Sequence, residues 1–253
     1  MHNIRLGLQK TTVVNFPRRL AAAVFLPGCN MRCGYCHNAE LALANTQGKG
    51  LENSFENQYY KLEDVFAHLE NRAKVLSGFV ISGGEPLLSP ALKPLVLKAK
   101  SLGLKVKIDT NGLFPEKLEY LLNSSEVCPD MVALDVKTSP ERYVELMPNR
   151  SKQTAEIATS SIIKTLDLLK TISQSNSGVE IEYRTVLIPG LVGDAEIKAI
   201  AQNLPKNADW KLANFLPGHC LNPDWNEIRP YTPAEANRLE NLAKTIIPHT
   251  EIR

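Results

Sequence analysis

From Leu20 onward, short runs rich in β-branched and aromatic residues alternate with longer amphipathic segments, and this alternation restricts the fold more than any other feature of the chain. Neighbouring parallel strands need a crossover connection, and a helix of ten or so residues supplies one, so the pattern predicts repeated βα units around a parallel sheet. The strand candidates are Ala21 to Leu26, Gly78 to Ser82, Leu104 to Asp109, Met131 to Val136, Val179 to Ile188 and Trp210 to Phe215. Between them, Lys61 to Val75 carries Leu62, Val65, Phe66 and Leu69 at helical spacing. Ser89-Pro90, Ser139-Pro140 and Thr232-Pro233 each read as an N-cap with proline at the first helical position. Six units are too few for a closed eight-stranded barrel, so the expected fold class is α/β, an incomplete (β/α)6 barrel of the TIM type with one open edge. The polar stretches Asn45 to Tyr60 and Ser173 to Gly178 read as loops and not as domain boundaries, and no internal repeat is visible. A single domain over residues 1–253 is expected, with its core at about 20–220.

A hydrophobic content of 43% is enough to bury a full core in 253 residues. Lys and Arg total 29 against 27 Asp and Glu, a net charge of +2, which gives no electrostatic case for a nucleic-acid or anionic-membrane partner. No apolar run approaches the roughly 20 residues that span a bilayer, and Met1 to Lys10 has no apolar signal-peptide region, so a cytoplasmic location is expected. A lipoprotein-like reading of Arg18-Arg19, Leu20 to Leu26 and then Cys29 competes, but seven apolar residues form a marginal h-region, and the flanks read as folded protein.

Three of the five cysteines, Cys29, Cys33 and Cys36, fall directly after the first strand candidate. Spacings of three and two residues let a short loop wrap three thiols around one metal centre. Soft thiolates select zinc or iron–sulfur clusters, and a cubane has four irons to ligate, so three cysteines leave one iron open to a substrate or cofactor. The competing reading, a Cys3His zinc site with His37, asks two adjacent residues, Cys36 and His37, to reach the same ion. Cys128 and Cys220 are too few for a second four-thiolate cluster, and Cys128 reads as a small buried hydrophobe.

In a barrel of this kind the site lies at the C-terminal ends of the strands, and every strand candidate offers a polar group there. The second ends in Ser82-Gly83-Gly84-Glu85-Pro86, where paired glycines allow close backbone approach to a ligand and Glu85 adds negative charge. The third ends in Asp109-Thr110-Asn111-Gly112. On the fourth, Asp135 and Lys137 share a face at the strand period of two, the fifth bears Arg184, and the sixth is followed by Leu216-Pro217-Gly218-His219.

With Tyr35 before the last cysteine, the Cys29-x3-Cys33-x2-Cys36 loop resembles the signature of the radical S-adenosylmethionine superfamily. Over Leu6 to Pro230 the chain resembles the activating enzymes of glycyl radical enzymes, of the pyruvate formate-lyase and anaerobic ribonucleotide reductase type. The residues that carry this are Gly28 to Cys33 with Tyr35 to Asn38, Ser82 to Glu85, Asp109 to Gly112 and Leu134 to Lys137. The resemblance implies a [4Fe-4S] cluster on the three cysteines and S-adenosyl-L-methionine on its open iron. It implies that Tyr35 to His37 line the adenine, that Gly83, Gly84 and Glu85 meet the methionyl group, and that Asp135, Lys137, Arg184 and His219 contact the rest. Asp109, Thr110 and Asp135 would help hold a monovalent cation. The implied partners are a glycyl radical enzyme, docked across the open edge with no appended domain in its way, and a low-potential electron donor such as flavodoxin or ferredoxin. The chain departs from the activators' usual Asp-Phe-Pro-Gly at Asn15-Phe16-Pro17-Arg18, and residues 37–82 hold no cysteine for an inserted cluster. The alternatives are a radical enzyme acting on a small molecule, of the 7-carboxy-7-deazaguanine synthase type, and a zinc-bound structural module.

Overall fold

The architecture is that of a computed structural model, which describes residues 4–49, 51, 59–175 and 177–253. Parts of the two polar stretches expected as loops, residues 50, 52–58 and 176, lie outside the described residues. The chain divides into two compact units, one of Met1–Asn30, Asn38–Thr110 and Lys117–Val132, the other of Met31–His37, Asn111–Glu116 and Ala133–Arg253.

In the first unit β1 (Arg5–Thr12), β2 (Ala21–Leu26), β3 (Tyr59–Lys61), β4 (Gly78–Gly83) and β5 (Lys105–Thr110) form a sheet in the order β3-β1-β2-β4-β5. β2, β4 and β5 run parallel, with Ala21 opposite Gly78 and Gly78 opposite Lys105. Their apolar runs are what a sheet buried on both faces demands. Ala21, Ala22, Ala23, Val24 and Leu26 are all fully buried, as are Phe79 and Ile81. β1 pairs antiparallel with both β2 and β3. Its sequence, RLGLQKTT, is half polar, and pairing with β2 rather than its own periodicity makes it a strand. The crossovers are α1 (Ala39–Leu43) with α2 (Leu62–Arg72), then α3 (Leu92–Ser101), and α4 (Pro115–Leu122) follows β5. α2 buries Leu62, Val65 and Leu69, three of the four residues expected on its inner face.

β6 (Met131–Asp135) passes from the first unit into the second, where β7 (Glu180–Leu187), β8 (Asp209–Asn214) and β9 (Thr250–Ile252) follow in the order β6-β7-β8-β9. β7, β8 and β9 are parallel. The helices are α5 (Lys152–Gln174), α6 (Asp194–Asn203) and α7 (Pro233–Lys244). On α5 the buried positions Ala158, Ile162, Thr165, Leu166 and Leu169 form one stripe at helical spacing. The six strands read from the sequence are β2, β4, β5, β6, β7 and β8, each followed by helix, so the six βα units are present, three strands ahead of β6 and three from it onward.

Two start signals act differently from the expectation. Ser139-Pro140 opens a 3₁₀ turn, Pro140–Leu146, and the long helix starts only at Lys152, where Ser151 Oγ accepts from Thr154 N at 3.2 Å. Pro148 lies between and has no N–H to continue a helix. Ser89 caps the turn ahead of α3 through Ala91 N at 3.2 Å, and the helix begins at Leu92. Thr232-Pro233 does start α7, with a reciprocal pair between Thr232 and Glu235. Among the described residues no helix is long and apolar enough to cross a membrane.

Candidate functional site

In the first unit the residues of interest lie at the C-terminal ends of parallel strands. After β2 the chain turns at Gly28, whose φ of +90° is a left-handed conformation that glycine adopts without cost, and Cys29 follows. Gly28 N donates to Leu41 O at 2.8 Å, while its carbonyl accepts from Glu85 N at 2.8 Å. Gly84 N donates to Leu26 O, also at 2.8 Å. The loop after β4 therefore lies directly on the backbone of the loop that carries Cys29. A Cβ on Gly83 would overlap Leu26 backbone, and one on Gly84 would overlap the Gly28 carbonyl and come 3.3 Å from Cys29 Cβ. The paired glycines are required by this close approach as well as by anything a ligand asks.

Glu85 is fully buried, and its Oε1 accepts from Leu87 N at 3.0 Å and from Thr110 Oγ1 at 2.9 Å, so it joins the end of β4 to the end of β5. Asp109 pairs with Lys107 at 3.1 Å, on the same face of β5. Lys107 is itself buried and donates to Asn15 O at 2.8 Å, which ties the Asn15-Phe16-Pro17-Arg18 turn to β5.

In the second unit the segment Met31–His37 carries Cys33, which is 7% exposed, and the half-buried Cys36. Cys36 N donates to Cys33 O at 3.0 Å, closing a tight turn, and Arg32 N donates to Leu146 O at 2.7 Å. The chain after β8 is laced to this turn: Asn222 N donates to Gly34 O at 2.9 Å and Leu221 N to Cys36 O at 3.1 Å. His37 Nε2 donates to Leu216 O at 2.6 Å. A carbonyl can only accept, so this nitrogen carries the proton. The rings of Tyr35 and Trp225 stand 5.8 Å apart, and Lys137 Nζ lies 5.9 Å from the Tyr35 ring centre, within cation–π reach.

At the end of β6, Asp135 Oδ1 accepts from Arg184 Nε at 2.8 Å and Nη2 at 2.7 Å, and its Oδ2 lies 3.4 Å from Lys137 Nζ. Burial works to raise the Asp135 pKa, but Arg184 and Lys137 outweigh it and lower the value to about 2. Burial also opposes the charge of Lys137, yet Tyr35 and Asp135 hold its ammonium well above the ordinary range. Burial pushes the Tyr35 phenol well up, with Lys137 pulling the other way, so Tyr35 stays a neutral donor. Tyr143 accepts from Lys137 N at 3.1 Å and fixes the backbone there.

Asp135, Lys137, Arg184 and Tyr35 thus form one connected group, while His219 sits exposed in the loop after β8. Of the oxygens assigned to a cation, that of Thr110 donates to Glu85, Asp109 pairs with Lys107, and Asp135 pairs with Arg184 and Lys137. Cys220 is half-buried, burial and the neighbouring Cys36 raise its pKa, and the next residue, Leu221, donates to Cys36 O at 3.1 Å. Cys128 is half-buried rather than buried, with its Sγ 3.5 Å from Pro129 O. Trp225, Asn222 and Asn226 are new to the site. Nothing in their local sequence marks them, although an isolated tryptophan between polar residues in a loop is a signal that could have been weighed.

The first unit thus packs a glycine pair on the loop that carries Cys29, and the second holds Cys33 and Cys36 together with the charged group of Asp135, Lys137 and Arg184. The pattern that describes the Radical SAM superfamily matches residues 23–202. The chain belongs to the radical SAM superfamily. A protein of Methanocaldococcus jannaschii described as "Putative glycyl-radical enzyme activating enzyme" is 30% identical over 98% of this chain and 94% of its own. The pyruvate formate-lyase-activating enzyme of Clostridium pasteurianum is 28% identical over 80% of this chain and 76% of its own. A 7-carboxy-7-deazaguanine synthase of Methanopyrus kandleri is 29% identical over 46% of this chain and 48% of its own. Among solved structures, Streptococcus suis SuiB bound to S-adenosylmethionine superposes with a TM-score of 0.59 at 19% identity, over 90% of this chain and 48% of SuiB. The chain spans about half the length of SuiB, and the likeness shows the fold, which is the α/β class expected from the sequence.

Radical SAM enzymes use a [4Fe-4S] cluster and S-adenosylmethionine, and the residues present fit both. Among the described residues no three His, Cys, Asp or Glu side chains are arranged to hold a single metal ion. In a cubane each thiolate takes a different iron, so its sulfurs need not converge on one point. The donor set is three soft thiolates, and Gly84 keeps the backbone beside Cys29 free of side chain.

Proposed function

We propose that this radical SAM enzyme activates a glycyl radical enzyme, with Cys29, Cys33 and Cys36 as the three cluster ligands within one catalytic domain spanning residues 1–253. Cys29, Cys33 and Cys36 would hold the cluster, which would supply the single electron for reductive cleavage of the S-adenosylmethionine sulfonium to methionine and for hydrogen abstraction from a glycine Cα of the partner. The chain's own residues bind, orient and exclude water. Gly83 and Gly84, packed on the Leu26 and Gly28 backbone, meet the methionyl group through their main chain at the end of β4, and the buried Glu85 holds that loop. Lys137, kept protonated, suits the cofactor carboxylate, with Asp135 and Arg184 fixing its position. Tyr35 and His37 lie along the adenine, and the exposed His219 closes on the cofactor from the loop after β8. A low-potential carrier such as flavodoxin or ferredoxin supplies the electron, and a reducing cytoplasm suits the three thiolates.

The observation that carries this reading over a small-molecule substrate is the extent of the likeness. It reaches 98% of the chain for an activating-enzyme relative and 46% for the deazaguanine synthase. The test is spectroscopic. Reduced protein, S-adenosylmethionine and a glycyl radical enzyme are mixed without oxygen, and an electron paramagnetic resonance doublet is expected that collapses when the partner's glycine carries deuterium at Cα. No signal with any such partner, together with turnover of a small molecule, would overturn the activator reading.

A further inference from the structure

Close packing against the cysteine turn comes from Trp225, a residue that lies nearly two hundred positions away in the chain. A Cβ built on Gly34 would stand 2.5 Å from both Cε2 and Nε1 of Trp225 and 2.9 Å from its Cδ1. Gly34 has no left-handed φ, so the contact, not backbone conformation, excludes a side chain there. The indole rests against the backbone between Cys33 and Cys36 and continues to the Tyr35 ring, 5.8 Å away. Trp225 is itself held in a built loop. Asn226 Oδ1 accepts from Gly218 N at 2.9 Å and Cys220 N at 3.1 Å, Trp225 N donates to Asn222 O at 3.0 Å, and Asn222 and Leu221 donate to Gly34 and Cys36.

We propose that Trp225 is a positioning residue for the cluster: its indole clamps the Cys33–Cys36 turn and keeps water from it. The proposal rests on the reading of Cys33 and Cys36 as ligands only for its redox consequence. Three thiolates make the bound cluster anionic, and reduction adds charge that water stabilises, so opening this face moves the midpoint potential to more positive values. The same opening admits oxygen and speeds bleaching of the cluster in air.

The test is a double-mutant cycle between Gly34→Ala and Trp225→Ala on the full chain, read by urea unfolding, together with redox titration and air-bleaching of reconstituted protein. Gly34→Ala is expected to shift the unfolding equilibrium by about tenfold or more in the wild type and by no more than about twofold beside Trp225→Ala, because the new methyl enters space the indole has left. Trp225→Ala is expected to raise the potential and bleach several-fold faster, and Trp225→Phe to restore both. An equal cost of Gly34→Ala in the two backgrounds overturns the clamp whether or not a cluster binds. If the coupling is present but potential and bleaching rate match the wild type, the shielding role is overturned.

Discussion

Arg184 places two donors, Nε and Nη2, on the single oxygen Oδ1 of Asp135, at 2.8 and 2.7 Å, and so outweighs the upward pull of burial on that carboxylate. The folded-state pKa of about 2 lies below the ordinary 3.8, so the stability this contributes is fully present above about pH 4 and disappears as pH falls through 2. The side chain is still 34% exposed, which limits the contribution to roughly 1 kcal/mol. Asp135→Asn cannot titrate. Urea unfolding of both proteins between pH 6 and pH 2.5 is expected to show a gap that narrows below pH 4, and a gap that stays constant with pH would show that the Asp135 charge contributes nothing.

Gly84→Ala presses a methyl into the Gly28 carbonyl and toward Cys29. Backbone cannot give way as a flexible side chain does, and overpacking of this kind costs about 1–3 kcal/mol. The expected outcome is a destabilised chain that binds less iron after reconstitution, read by denaturation and iron assay. Full iron content at wild-type stability would mean that the two loops are not locked together.

Glu85 offers a comparison of shape with charge. Glu85→Gln keeps an acceptor for Leu87 N and Thr110 Oγ1, whereas Glu85→Ala removes the acceptor from two buried donors. Leaving buried donors unsatisfied costs about 1–3 kcal/mol each. Ala is therefore expected to lose several-fold more stability than Gln, by urea midpoint. Equal losses would show that the carboxylate charge, not the geometry, holds the ends of β4 and β5.

Anaerobic reconstitution is expected to load about four irons and four sulfides per chain and no zinc, and Cys33→Ala to abolish the load. Metal and acid-labile sulfide analysis decides this. A full load in Cys33→Ala would remove that cysteine from the ligand set. In the loaded protein, Lys137→Ala is expected to weaken S-adenosylmethionine binding by about tenfold while iron content is unchanged, as equilibrium dialysis would measure.

The six strands of the βα units and the cysteine loop could be read in the sequence because both are local. A strand buried on two faces must be an unbroken apolar run, as Ala21 to Leu26 is, and three thiols within eight residues need no fold to bring them near one another. The Asp135 and Lys137 pairing was also legible, since residues two apart in extended chain share a face, although β6 itself ends at Asp135. The strands β1, β3 and β9 were not, because their polar sequences become strands only when a neighbour offers its backbone. Tertiary structure alone decided that Glu85 is buried, that Lys107 pairs with Asp109, and that Trp225 lies on Gly34. Periodicity records that a residue is covered but not by what. The covering partner is set by contacts between distant segments, whose summed energy no single stretch of sequence contains.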